Sequence, residues 1–181
     1  MSFGFPSECK ERGNMYIQAT QILKKPIVAF DIKKTVGNIN KIIVNPENGK
    51  VLAFLVFRLF QKPKLVLLED VLELSQNGIL INNEESLISP IEVIRVDSLL
   101  RQRIEILNMK AKTKSGKYLG RVEDYLIDPQ TSSIAKFYLK GSIFSSSLIL
   151  PMDKVVEIKK NTVIFSDDLI ESQGATEAVG A

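Results

Sequence analysis

VGNINKIIVNPENGKV, residues 36–51, and LGRVEDYLIDPQTSSI, residues 119–134, decide how this chain is read. Laid one on the other, they match Gly37 with Gly120 and Pro46 with Pro129, 83 residues apart in both cases, and most apolar positions coincide. A second pair of stretches follows in the same order. EDVLELSQNGIL (residues 69–80) lies against DKVVEIKKNTVI (residues 153–164), with Val71 opposite Val155 at a distance of 84. Two collinear blocks with matched apolar pattern and matched turn residues are the signature of an internal repeat. The single residue gained between them falls where a loop belongs.

Each copy has the grammar of short strands joined by turns. Ile42-Ile43-Val44 runs into Asn45-Pro46-Glu47-Asn48-Gly49, where proline presets φ and Asn-Gly supplies positive φ, and the chain returns as Val51 to Phe57. The counterpart is Leu126-Ile127, then Asp128-Pro129-Gln130-Thr131, then Ile134 to Leu139, with Asp128 read as a turn residue that accepts local backbone hydrogens. Further strands are expected at Leu65 to Leu68 and Gly78 to Ile81, and at Leu148 to Leu150 and Thr162 to Phe165. Gly116 and Gly120 read as hairpin turns.

The expected fold is therefore all-β: two tandem small β-barrels, closed or nearly so because closure removes the unpaired edges of a short sheet. The boundaries read as a flexible segment 1–14, a first barrel 15–88, a connector 89–103, a second barrel 104–170 and a disordered tail 171–181. Copies of about 70 to 80 residues have marginal cores, so the two are expected to pack on each other. In the connector, PIEVIRVDSLLRQR (residues 90–103), Ile91, Ile94, Leu99 and Leu100 approximate a helical face behind Ser89 and Pro90, with a further strand as the alternative.

Composition narrows the function. Of 181 residues, 45% are hydrophobic and 25% charged, a globular balance, and the net charge of +3 does not mark an obligate nucleic-acid binder, so any basic footprint is local. There is no histidine, which removes Ser-His-Asp and Cys-His relays, imidazole metal ligands and the ordinary near-neutral proton shuttle. Cys9 is the single cysteine, so no intrachain disulfide forms. With no apolar run resembling a signal peptide and Val51 to Phe57 ended by Arg58, the chain reads as cytoplasmic without a transmembrane segment. No phosphate-gripping glycine loop or CxxC pair is present.

The second copy resembles the PRC-barrel domains, found in the photosynthetic reaction-centre H subunit and at the carboxyl end of ribosome-maturation factors. The residues are Leu119-Gly120-Arg121-Val122-Glu123-Asp124 with Leu126-Ile127-Asp128-Pro129, then Leu150-Pro151-Met152-Asp153-Lys154-Val155. The first copy departs further, with Asn45-Pro46 for Asp-Pro and no proline in Leu68-Glu69-Asp70-Val71. Its Met15-Tyr16-Ile17-Gln18-Ala19 opening is similar to the family's approach into the first strand. The resemblance implies a small β-barrel that docks on protein or ribonucleoprotein partners, and it implies no catalytic residue.

Two constellations stand out. Lys110, Lys112, Lys114, Lys117 and Arg121 form a basic stripe, in which residues two apart share one face of a strand. It reads either as a track for phosphates or an acidic protein surface, or as a solvated lysine face that protects an edge strand. The second is a difference between the copies. Leu52, Phe54 and Val56 match the inner face Ala135, Phe137 and Leu139, but the outer face carries Ala53, Leu55 and Phe57 where its twin has Lys136, Tyr138 and Lys140. That patch is to be covered, either by the chain's own amino-terminal or connecting segment or by a partner or second subunit. The pairs Glu84-Glu85, Glu123-Asp124 and Asp167-Asp168 do not read as a shared site, because adjacent residues on a strand point to opposite faces and those near turns are usually solvated.

The functional expectation is a non-catalytic interaction or assembly module on a protein or ribonucleoprotein complex, with no cofactor and no metal. RNA binding through the lysine stripe is the alternative, and an enzyme of carboxylate and lysine chemistry ranks behind both.

Overall fold

The computed structural model describes residues 10–11, 14–141 and 147–169. Cys9, most of the expected flexible segment and the expected disordered tail lie outside the described residues. Near the start, β1 (Lys10–Glu11) pairs with β2 (Asn14–Met15), followed by β3 (Ile17–Gln18) and the single turn α1 (Ala19–Ile22).

The remaining strands form two sheets of matching order. The first contains β4 (Pro26–Ala29), β5 (Lys34–Val44), β6 (Val51–Phe57), β7 (Lys64–Leu67), β8 (Val71–Ser75) and β9 (Gly78–Ile81), arranged β7-β6-β5-β4-β9-β8. After α2 (Ile94–Gln102) come β10 (Lys110–Thr113), β11 (Tyr118–Asp128), β12 (Ser133–Lys140), β13 (Leu148–Pro151), β14 (Val155–Lys159) and β15 (Thr162–Phe165), arranged β13-β12-β11-β10-β15-β14. Every neighbour is antiparallel except the first strand beside the last, β4 with β9 and β10 with β15, which are parallel in both sheets. The protein is mostly β, as expected.

Both sheets are open. No ladder among the described residues joins β7 to β8 or β13 to β14, which replaces the expected closed barrels with two equivalent open sheets. In the first sheet the reason is visible. The free side of β7 is taken by the chain leading into α2, with Leu65 N donating to Ile88 O at 2.9 Å and Ile88 N to Leu65 O at 3.0 Å. A backbone edge already satisfied in this way has nothing left to offer a closing strand.

Local chemistry repeats residue by residue. In the first hairpin the buried Asn45 side chain accepts from Glu47 N at 3.1 Å, and Gly49, at φ +71°, supplies the left-handed step. In the second, Asp128 Oδ1 accepts from Gln130 N at 2.8 Å, and Ser132, at φ +51°, takes the same step. Both return strands begin with a register shift, between Ile43 and Val44 and between Leu126 and Ile127. The shift carries Leu52 and Ala135 out of the ladder, so Val51 and Ile134 fill the core in their place, ahead of Phe54 and Val56 and of Phe137 and Leu139. Strict alternation from the sequence had assigned the inner face to Leu52 and Ala135; a bulge resets the count by one residue.

Gly120 is a second correction. It lies inside β11 at φ +132°, where a Cβ would stand 2.3 Å from Lys140 O, so it serves a close backbone approach and not a hairpin turn; Gly116 is the turn glycine.

One hydrophobic cluster runs through both sheets, from Ile27, Phe54 and Ile81 to Phe137, Leu139 and Phe165. The hairpin turns meet across it by a reciprocal bond pair: Val51 N donates to Ser132 O and Ile134 N to Gly49 O, both at 2.9 Å. Equivalent groups therefore exchange equivalent bonds, the pattern of an isologous contact.

Each sheet also holds the segment that leads into the other. β3 pairs with β11, Ile17 opposite Ile127 and Gln18 opposite Leu126, so this strand joins the second sheet and not the first. Conversely, α2 lies on the first sheet, with Val96 buried against Ile43, Ala53 and Leu65. This helix presents Val96, Leu99 and Leu100, three and four residues apart, while Ile91 and Ile94 are exposed, which shifts the apolar face expected for the connector. Ser89 and Pro90 open a short 3-10 turn ahead of it, with Ser89 N donating to Glu92 Oε1 at 2.9 Å.

Candidate functional site

The lysine stripe sits on an interior strand. β10 pairs with β11 on one side and β15 on the other, so there is no edge for these lysines to protect, and that explanation of them falls. Ala111 and Thr113 are buried, Lys110 and Lys114 are exposed, and Lys112 is half-buried between them.

The structure divides the stripe into two ends. At the turn, Lys117 is exposed; its carbonyl accepts from Thr113 N at 2.8 Å and its N–H donates to Thr113 Oγ1 at 3.1 Å, while Ser115 N donates to Asp167 Oδ1 at 3.0 Å. The Ser115 bonds, with Lys114 nearby, hold the Asp167 carboxyl below its ordinary range. At the other end Lys110 stands directly opposite Arg121 in the ladder.

There the two line a groove of about 560 Å³ together with Arg103, Lys160 and Glu105. Four cations face a single carboxylate. Arg103 enters because it ends α2 in the left-handed conformation, φ +54°, and Lys160 enters on the β14–β15 turn, where Lys110 N donates to Asn161 O at 3.1 Å. Arg121 is oriented by donating from Nη1 to Asn108 O at 3.0 Å, leaving the other guanidinium donors for an anion. The sequence reading missed Lys160 because it lies 50 residues from Lys110 in the chain, and passed over Arg103, seven residues before Lys110, because it falls in the connector. The parallel pairing of β10 with β15 brings the turn of Lys160 alongside Lys110.

The apolar patch of the first sheet is split as well. Ala53 is fully buried and Leu55 half-buried beneath α2, whereas Phe57 is 53% exposed. Phe57 borders a separate groove of about 400 Å³ with Ile32, Leu59, Gly37 and Arg58, whose guanidinium pairs with Glu84 at 2.6 Å. On the twin sheet, Tyr138 is buried near Thr20 and Asp124.

The carboxylate pairs do not converge. Asp124 is buried; it accepts from Tyr125 N at 2.8 Å, from Thr20 N at 3.2 Å and from the Thr20 hydroxyl. The bulge at Val122–Asp124 leaves Glu123 out of the ladder and sets Asp124 opposite Tyr138, on the face that Thr20 covers. Asp168 binds Lys154 at 2.6 Å, which lowers its pKa and raises that of the lysine. Among the described residues no group of three or more His, Cys, Asp or Glu side chains gathers into a metal site, and no helix is long and apolar enough to cross a membrane.

A PRC-barrel domain is found at residues 103–168. The match opens at Arg103 of the basic groove and runs through β15 to Asp168, so it spans β10 to β15, but not β3, of the second sheet, and all five residues of the stripe. No curated protein matches the chain.

Proposed function

We propose that the chain is a non-catalytic docking or assembly module of the cytoplasm, built from two copies of one PRC-barrel-like unit. The copies are residues 15–88 and 104–170, joined by 89–103, and the second offers its basic groove to an acidic surface of a protein or ribonucleoprotein complex. The shared strand order, the paired bulges and the PRC-barrel domain at 103–168 support the duplication.

The observation that carries the function is the groove of Arg103, Lys110, Arg121 and Lys160 around one carboxylate. Cations gathered along a concave wall focus field and draw anionic partners, and arginine adds forked recognition of carboxylate or phosphate. No aromatic residue lines the groove, so base stacking has no platform there, which favours an acidic protein surface or a phosphate backbone over sequence reading.

Affinity purification of the tagged full-length chain, beside a Lys110→Glu/Arg121→Glu variant and with and without nuclease, tests this. The expected result is a partner that the wild type retains and the variant loses. Loss on nuclease treatment assigns the groove to RNA, with steep salt dependence as its companion. Equal recovery by both proteins overturns the role of the groove.

A further inference from the structure

The loop between β6 and β7 and the turn between β4 and β5 border one end of the first sheet. The loop reads Arg58-Leu59-Phe60-Gln61-Lys62-Pro63, and its two large apolar residues are exposed: Leu59 at 69% and Phe60 at 97%. Phe60 adopts φ +59°, an uncommon conformation for an aromatic residue, and Gln61 N closes the turn on Arg58 O at 3.2 Å. Phe30 and Ile32, in the facing turn, are also exposed, and Ile32 shares the groove of Leu59 and Phe57. The cover supplied by α2 reaches Ala53 and Leu55 and stops short of this end.

The surrounding charge is positive. Lys33, Lys34 and Lys62 are exposed and Lys64 is half-buried, while of the nearby acids Glu84 is engaged by Arg58 and Asp31 stands in the turn. A protein receptor for this end would have to provide a matching apolar socket. A lipid interface accepts projecting apolar side chains without a shaped cavity, and anionic headgroups take up lysines at their base.

We propose that this end of the first sheet docks on an anionic bilayer surface, with Leu59 and Phe60 entering the interfacial region and Lys33, Lys34 and Lys62 meeting the headgroups. This surface is separate from the basic groove and does not depend on it.

Co-sedimentation of the full-length chain with phosphatidylcholine vesicles, and with vesicles in which phosphatidylserine replaces part of that lipid, tests it. The expected result is binding to the anionic vesicles alone, weakened by added salt and reduced about tenfold or more by Phe60→Asp. Lys110→Glu/Arg121→Glu is expected to bind vesicles as the wild type does. Because Phe60 is almost wholly exposed, thermal unfolding of Phe60→Asp is expected to match the wild type, which separates loss of docking from loss of fold. No binding of the wild type to anionic vesicles, or equal binding by Phe60→Asp, overturns the proposal. So does loss of vesicle binding in the groove variant alone. A dimer that Phe60→Asp dissociates, in a chain that ignores vesicles, assigns the surface to a second copy and overturns it too.

Discussion

Tyr125 sits in the core with its ring tilted against Phe137, and burial, helped by the nearby charges of Asp124 and Glu105, pushes its phenol far above the ordinary tyrosine range. A folded-state pKa above the unfolded value means that the native state holds this proton more tightly. Its contribution to stability is complete below pH 10, the ordinary tyrosine value, and declines as pH rises from there. Urea denaturation at neutral pH and again above pH 10 is expected to show a stability loss in the wild type that is smaller in Tyr125→Phe. At this same scale the sequence is least informative. Asp124 reads as one half of a carboxylate pair, and nothing near it in the chain says that Thr20, 104 residues away, covers it.

Elements were far more legible, since turn residues and apolar runs are local signals. The hairpins at Asn45-Pro46 and Asp128-Pro129 stand where proline and short polar side chains place them, and the connector carries its helix. Bulges escaped because nothing in a strand's composition says which residue will leave the ladder; Leu52 is as apolar as Val51. The outer face of β6 was legible as a difference between copies, although the helix that covers it could not be placed from spacing alone. That cover has an energetic consequence. Introducing the twin's lysine by Ala53→Lys forces a charge beneath Val96, with an expected cost of about 3 kcal/mol or more, whereas Phe57→Lys, at a half-exposed position, is expected to change stability by about 0.5 kcal/mol. Urea titration of the two variants checks the contrast.

At the level of the molecule, the main cluster is shared by both sheets and the crossed segments tie them together, with only the small cluster under α2 belonging to the first sheet alone. Val51 and Ile134 both belong to the common interior, and β3 and α2 each bind the sheet that the other leads into. Unfolding is therefore expected to be a single transition. Tyrosine fluorescence, which reports mainly on the second half through Tyr118, Tyr125 and Tyr138, should coincide with far-ultraviolet circular dichroism from both halves across a urea series. Two separated midpoints would show independent halves. That the halves pack on each other was legible from their small size, but the strand order and the bonds between the turns were not, because a backbone bond from Val51 to Ser132 depends on no side chain.

That exchange of bonds between the two turns has a further effect. In a pair of separate chains such a contact weakens on dilution, since each partner must find the other again. Here a continuous polypeptide keeps the two turns at a fixed local concentration, so the association persists in a cell holding very few copies of the protein.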